Sequence, residues 1–91
     1  MGRRRKIPKE VLPEERQRFY SELKKGQLSL AEASRRMRLL LDLDQEEFAK
    51  LINVAPRTLI DLETGKGNPT LKTLEKIAKP FGLELIFRPK A

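Results

Sequence analysis

The sequence predicts an all-α chain of five helices ending in one short strand. Two observations carry this. Apolar residues recur at helical spacing in successive segments, and a residue suited to opening a helix stands before or at the start of each one. Residues 83–88, near the C-terminus, alternate between two faces in the manner of a strand, broken only by Ile86 on the otherwise polar face. The length of 91 residues fits one small domain with short extensions.

The elements follow in order. Residues 1–9, "MGRRRKIPK", have no periodicity and read as a disordered basic arm. Residues 10–28 read as an accessory helix. Pro13 suits a first helical position, Glu14 and Glu15 complement the positive end, and Lys24 and Lys25 the negative end, with Gly26 closing it. Leu12, Phe19, Tyr20 and Leu23 form its narrow apolar stripe.

The main domain spans 29–82. Ser29 and Glu32 form a capping box, with Leu30, Ala33, Met37, Leu40 and Leu41 on one face. Asp44, with Glu47 three residues on, opens the next helix, where Phe48, Leu51 and Ile52 face inward. After the turn "NV", Pro56 starts a short helix with Leu59 and Leu62 inward and Gly65 as terminator. "GKGNP" is a loop. Thr70 caps "LKTLEKIAK", whose Leu71, Leu74, Ile77 and Ala78 share a side; Pro80 and Gly82 end it. The remainder, 83–91, holds the strand and tail. Leu83, Leu85 and Phe87 lie on one face, with Glu84, Ile86 and Arg88 on the other. A lone strand has no partner within the chain, so it is an edge that pairs with another chain or it is not a strand.

Charge narrows the partners. The net charge is +7 and the pI about 10.1, which favours a polyanion: nucleic acid, an acidic protein or an anionic surface. More than half of the excess sits in Arg3, Arg4, Arg5 and Lys6, so basic surface in the body must come from arrangement. There is no Cys and no His, which excludes disulfide scaffolds, Cys/His zinc sites and nucleophile–His triads. "DLDQEE" has acids without the ligand series of a calcium loop, and helix capping accounts for it. "GKGNPT" lacks the spacing of a phosphate loop. No enzymatic activity, cofactor or metal is expected. No apolar run approaches the ~18 residues of a membrane span, and no apolar stretch follows the basic run 3–6, so no secretory signal is expected there. A cytoplasmic, nucleoid-associated location is expected.

Two short helices, about 45–52 and 56–63, are joined by a tight turn and flanked by helices on both sides. That order matches a helix-turn-helix, whose second helix enters a major groove. Leu59 and Leu62 anchor the second helix, while Arg57, Ile60 and Asp61 share its outward face. The bland alternative is a core helix of a small bundle whose outer face is mere surface.

These residues resemble a known family. "DQEEFAKLINVAPRTLIDLETGKGNPTLKTLEKIAKPFG" is similar to the Xre-type, lambda-repressor-like helix-turn-helix domain of lambdoid phage repressors and many bacterial regulators, over roughly residues 30–82. Gln45, Phe48, Ala49, Val54, the run Leu62 to Lys66, "NPT" and "TLEKIA" carry the resemblance. The following "GLELIFRP" is similar to the C-terminal strand of HipB-like antitoxins, where two copies pair. The resemblance implies that Ala55, Pro56, Arg57 and Asp61 face DNA bases. Gln45, Thr58, Lys66 and Asn68 would meet phosphates. Arg38 and Glu63 would form a structural ion pair, and Leu83, Leu85, Ile86 and Phe87 a dimerising strand.

The sequence departs from the family where Ala55 replaces the usual Ser or Thr, a loss of ~1 kcal/mol of capping that Pro56 partly offsets. Ala55 and Pro56 donate no hydrogen bond to a base, and Asp61 repels phosphate but can accept from a cytosine amino group. Arg57 is left as the strong base reader. The implied function is a sequence-specific repressor of double-stranded DNA, acting as a homodimer on a pseudo-palindromic operator. The favoured form is an antitoxin autoregulating a toxin–antitoxin operon, with a toxin protein as a further partner. The alternatives are a stand-alone phage or restriction-control regulator, and a toxin-neutralising interaction module with incidental DNA binding.

Overall fold

The computed structural model describes residues 13–90, with side chains from 14 onward. The basic arm 1–9, Leu12 of the accessory stripe and Ala91 lie outside the described residues. Among the described residues five helices follow one another: α1 (Pro13–Lys24), α2 (Leu30–Leu40), α3 (Gln45–Ile52), α4 (Pro56–Glu63) and α5 (Leu71–Ala78). A single 3-10 turn, Lys79–Phe81, extends α5.

Local chemistry sets the helix starts. Ser29 Oγ accepts from the Glu32 N–H at 3.1 Å while Glu32 Oε1 accepts from the Ser29 N–H at 3.0 Å. Asp44 and Glu47 repeat the arrangement at α3, at 2.7 and 2.8 Å. Thr70 Oγ1 accepts from the Thr73 N–H at α5. Ala55 gives α4 no side-chain cap, and Pro56 occupies its first turn.

The core gathers Phe19, Met37, Phe48, Ala49, Leu59, Leu62, Ile77 and Phe81. Phe19, Phe48 and Leu59 are fully buried. Helix α1 is therefore built into the core rather than appended to it. Its Phe19 ring meets Phe81 edge-on at 5.9 Å. Tyr20 Oη donates to the Phe81 carbonyl at 3.0 Å and accepts from Arg16 Nε at 3.1 Å. Arg16 also lies over the Phe81 ring, 5.3 Å from its centroid.

Three residues expected to face inward do not. Leu51 is 44% exposed, because the buried arc of α3 is taken by Phe48, Ala49 and Ile52. At ~100° per residue Leu51 points about 110° from the centre of that arc. Leu30 and Leu71 are exposed as well; each is the first residue of its helix, where the stripe runs past the edge of the core.

The tail is the larger correction. Among the described residues there is no strand, and 83–90 carry neither helix nor strand. Leu83 is still tied in by its N–H, which donates to the Ala78 carbonyl at 3.1 Å. Beyond it Leu85, Ile86 and Phe87 are exposed. A strand exists by its ladder, and a single chain offers this segment no second strand.

Candidate nucleic-acid interface

Helix α3 ends at Asn53, which adopts φ 61° and ψ 52°. Asparagine tolerates that left-handed conformation better than most side chains. The turn is closed by the Val54 N–H donating to the Ala49 carbonyl at 2.9 Å. Lys76 Nζ, from α5, donates to the Asn53 carbonyl at 3.0 Å and braces the turn from outside. Helix α4 then starts with Ala55, Pro56 and Arg57 all exposed.

The inner side of α4 is locked by apolar and ionic contacts. Leu59 and Leu62 are buried. Glu63, its last residue, has a side chain only 3% exposed. Its carboxylate accepts from Arg38 Nε at 2.7 Å, Arg38 Nη2 at 3.0 Å and Gln45 Nε2 at 3.1 Å. Arg38 Nη1 donates in turn to the Leu43 carbonyl at 2.9 Å. One carboxylate on α4 thus joins α2 and α3, Arg38 extends the link to the α2–α3 loop, and α4 is held at a set angle to α3.

The outer side is open. The Arg57 side chain is 79% exposed, and its Nε stands 3.7 Å from Asp61 Oδ1, one turn along. Asp61 also anchors the following loop, since its carbonyl accepts from the Lys66 N–H at 2.7 Å. Gly67, at φ 73°, comes close enough that a Cβ there would meet Asp61 Cβ at 3.7 Å. Lys66 and Asn68 are exposed on this loop, and Thr58 is half-buried. The structure thus brings Arg57 beside Asp61 and ties the Lys66 backbone to Asp61, while Ala55 and Pro56 are exposed at the start of α4.

Gln45 stands apart from that group. Its amide is engaged at Glu63, six residues beyond Arg57 and so about 9 Å further along the helix axis. Neither this engagement nor the Lys76–Asn53 link has a signature in hydrophobic period or capping pattern. Among the described residues, no cluster of three or more acids could hold a metal ion, and no helix is long and apolar enough to cross a membrane.

A family model described as "Helix-turn-helix" matches residues 35–87. An uncharacterized HTH-type transcriptional regulator of Methanocaldococcus jannaschii is 46% identical over 48 residues, covering 53% of this chain and 73% of the relative. One from Archaeoglobus fulgidus is 42% identical over 48 residues, covering 53% and 68%. The cryptic phage CTXphi transcriptional repressor RstR of Vibrio cholerae is 41% identical over 51 residues, covering 56% of this chain but 46% of that protein. No solved structure matches the chain significantly.

Proposed function

The chain belongs to the helix-turn-helix family, and from that premise we propose that it is a sequence-specific double-stranded DNA-binding transcriptional repressor. The observation that carries the proposal is the division of α4. One side is held by Leu59, Leu62 and the Glu63 network, while Arg57 stands in solvent on the other. A rigid helix with an exposed guanidinium on its outer side, paired only at 3.7 Å with Asp61, suits bidentate recognition of guanine O6 and N7, worth ~1–3 kcal/mol. Asp61 faces the same groove as an acceptor for a cytosine amino group. Lys66 and Asn68 meet the phosphates beside it, and Thr58 does so if its hydroxyl turns outward.

With few donors on α4, a homodimer and the shape of the DNA supply the rest of the specificity. Two copies would place their α4 helices ~34 Å apart, one helical turn, on a pseudo-palindrome. Occupancy of such an operator blocks polymerase. The finer proposal is an antitoxin that represses its own operon, supported by the similarity of "GLELIFRP" to the pairing strand of HipB-like antitoxins. A stand-alone phage-type regulator is the second reading, favoured by the similarity to RstR. Co-expression with the product of the adjacent gene separates the two: an antitoxin rescues growth from it, a stand-alone regulator does not.

The test of DNA binding is a salt titration on the promoter upstream of its own gene, followed by fluorescence anisotropy. If a dimer neutralises ~6–10 phosphates, affinity should fall ~10³–10⁵-fold between about 50 and 200 mM salt. A flat response would sink the DNA reading.

A further inference from the structure

Helix α4 holds an internal ion pair in the unfavourable order. Arg57 stands in its first turn and Asp61 one turn later, with Nε 3.7 Å from Oδ1. A cation near the N-terminus and an acid toward the C-terminus oppose the helix dipole, and this order of an i,i+4 pair is the weaker one. The two side chains are 79% and 37% exposed, and pairs so open to water contribute little to stability. The pair does little for the helix, yet it sits on the outer side of α4.

Asp61 is the fixed member. Its carbonyl accepts from the Lys66 N–H at 2.7 Å and from Thr64 Oγ1 at 3.2 Å. Gly67 packs so close that a Cβ there would lie 3.7 Å from Asp61 Cβ and 4.0 Å from its Oδ2. Arg57 has no such anchor. Its Nε is the atom nearest Asp61, and among the described residues no hydrogen bond engages its Nη1 or Nη2.

Resting on the DNA-binding reading above, we propose that Asp61 is a positioning residue for Arg57. It draws the guanidinium by Nε, so that Nη1 and Nη2 form the fork that meets guanine N7 and O6. At 3.7 Å the contact is too long for a hydrogen bond in the free chain. It closes when DNA displaces water, because the lower dielectric strengthens the attraction. The same carboxylate keeps Arg57 off the backbone. A phosphate that pulled the guanidinium across would stand beside Asp61 and be repelled, whereas guanine presents neutral acceptors. Asp61 thus lowers affinity for DNA in general and raises preference at one base pair. This role is distinct from accepting from a cytosine, since it acts through Arg57.

Competition anisotropy tests this with the duplex upstream of the gene, substituted one base pair at a time, and a scrambled duplex of the same composition. Arg57→Ala marks the guanine that Arg57 reads, as the base pair whose replacement that variant ignores. There Asp61→Asn should cut the parent's preference about tenfold. On the scrambled duplex it should bind more tightly, with a slope of log K against log salt steeper by about 0.9 for each Arg57 that gains a phosphate. Asp61→Glu keeps a charge within reach and should hold preference within about threefold of the parent. With Arg57→Ala already present, Asp61→Asn should leave the slope unchanged. A slope that steepens without Arg57 would mean that the carboxylate acts on DNA directly, and a lowered urea midpoint for Asp61→Asn would mark a structural role; either overturns the proposal. So does a parent that binds its promoter with no base pair answering to Arg57, or with Asp61→Asn matching it in preference and slope, and both leave DNA binding standing. A parent that binds neither duplex overturns the repressor reading and this one together.

Discussion

Replacing Glu63 by Gln is the sharpest probe of what orients α4. The substitution keeps the size of the side chain and removes its charge. Glu63 accepts three hydrogen bonds, two of them from Arg38, and its side chain is 3% exposed. A glutamine must present its NH₂ where one carboxylate oxygen stood, facing a donor. Arg38 keeps its charge with no countercharge within bonding distance. Removing one partner of a buried pair costs about 3–5 kcal/mol. The Arg38 side chain is 12% exposed, so some hydration returns and the low end, about 3 kcal/mol, applies. For a chain of this size, total stability is on the order of 5–14 kcal/mol. The loss corresponds to a drop of about 12–24 °C in Tm.

The assay is urea unfolding followed by far-UV circular dichroism, run beside Arg38→Met and the double Arg38→Met/Glu63→Leu. The double removes both charges and fills the space with apolar atoms, so it should be more stable than either single change. It will fall short of a full recovery, because Gln45 and the Leu43 carbonyl also lose a partner. A Glu63→Gln variant within about 0.5 kcal/mol of the parent would show that the pair acts like an exposed bridge. A double variant worse than the sum of the singles would refute the reasoning outright.

Other expectations follow from single contacts. Arg57→Ala should leave stability within about 0.5 kcal/mol, since the side chain is exposed, yet lose ~1–3 kcal/mol of operator preference per site in competition anisotropy. Retained preference would show that another group reads the bases. Ala55→Ser adds the missing cap of α4 and should stabilise the chain by about 1 kcal/mol in the same urea assay; a loss would mean that the α4 start does not accept the cap geometry. Phe19→Ala empties a fully buried site between α1 and the 3-10 turn and should cost about 3–5 kcal/mol. An effect under about 1 kcal/mol would mean that α1 is not part of the cooperative unit. Asn53→Val puts a β-branched residue at a left-handed position and should destabilise by about 1–2 kcal/mol, whereas Asn53→Gly should be nearly neutral.

The sequence alone determined the helices and their ends. Capping boxes at Ser29–Glu32 and Asp44–Glu47, Pro56 at a first turn and Gly82 at an exit are local devices, acting between residues a few positions apart. Period 3.6 was enough to place Phe48, Leu59, Leu62 and Ile77 inside. The same pattern misplaced Leu30, Leu51 and Leu71, because periodicity says which residues share a stripe and not where the core stops. The tail shows the opposite limit. Alternation over 83–88 marks a segment able to join a ladder, but a ladder needs a second strand that one chain does not contain.

Only the tertiary structure decided the rest, and each instance is a contact between residues far apart in the chain. The motif implies a phosphate contact for Gln45; what it does not reveal is that the Gln45 amide also donates to Glu63, 18 residues on. Tyr20 reaches the Phe81 carbonyl across 61 residues, making an accessory helix part of the core. Lys76 reaches Asn53 and braces the turn that aims α4. Local patterns report torsions and caps that a few neighbouring residues settle. Which buried donor meets which acceptor depends on how whole helices pack, and no short window of sequence holds that information.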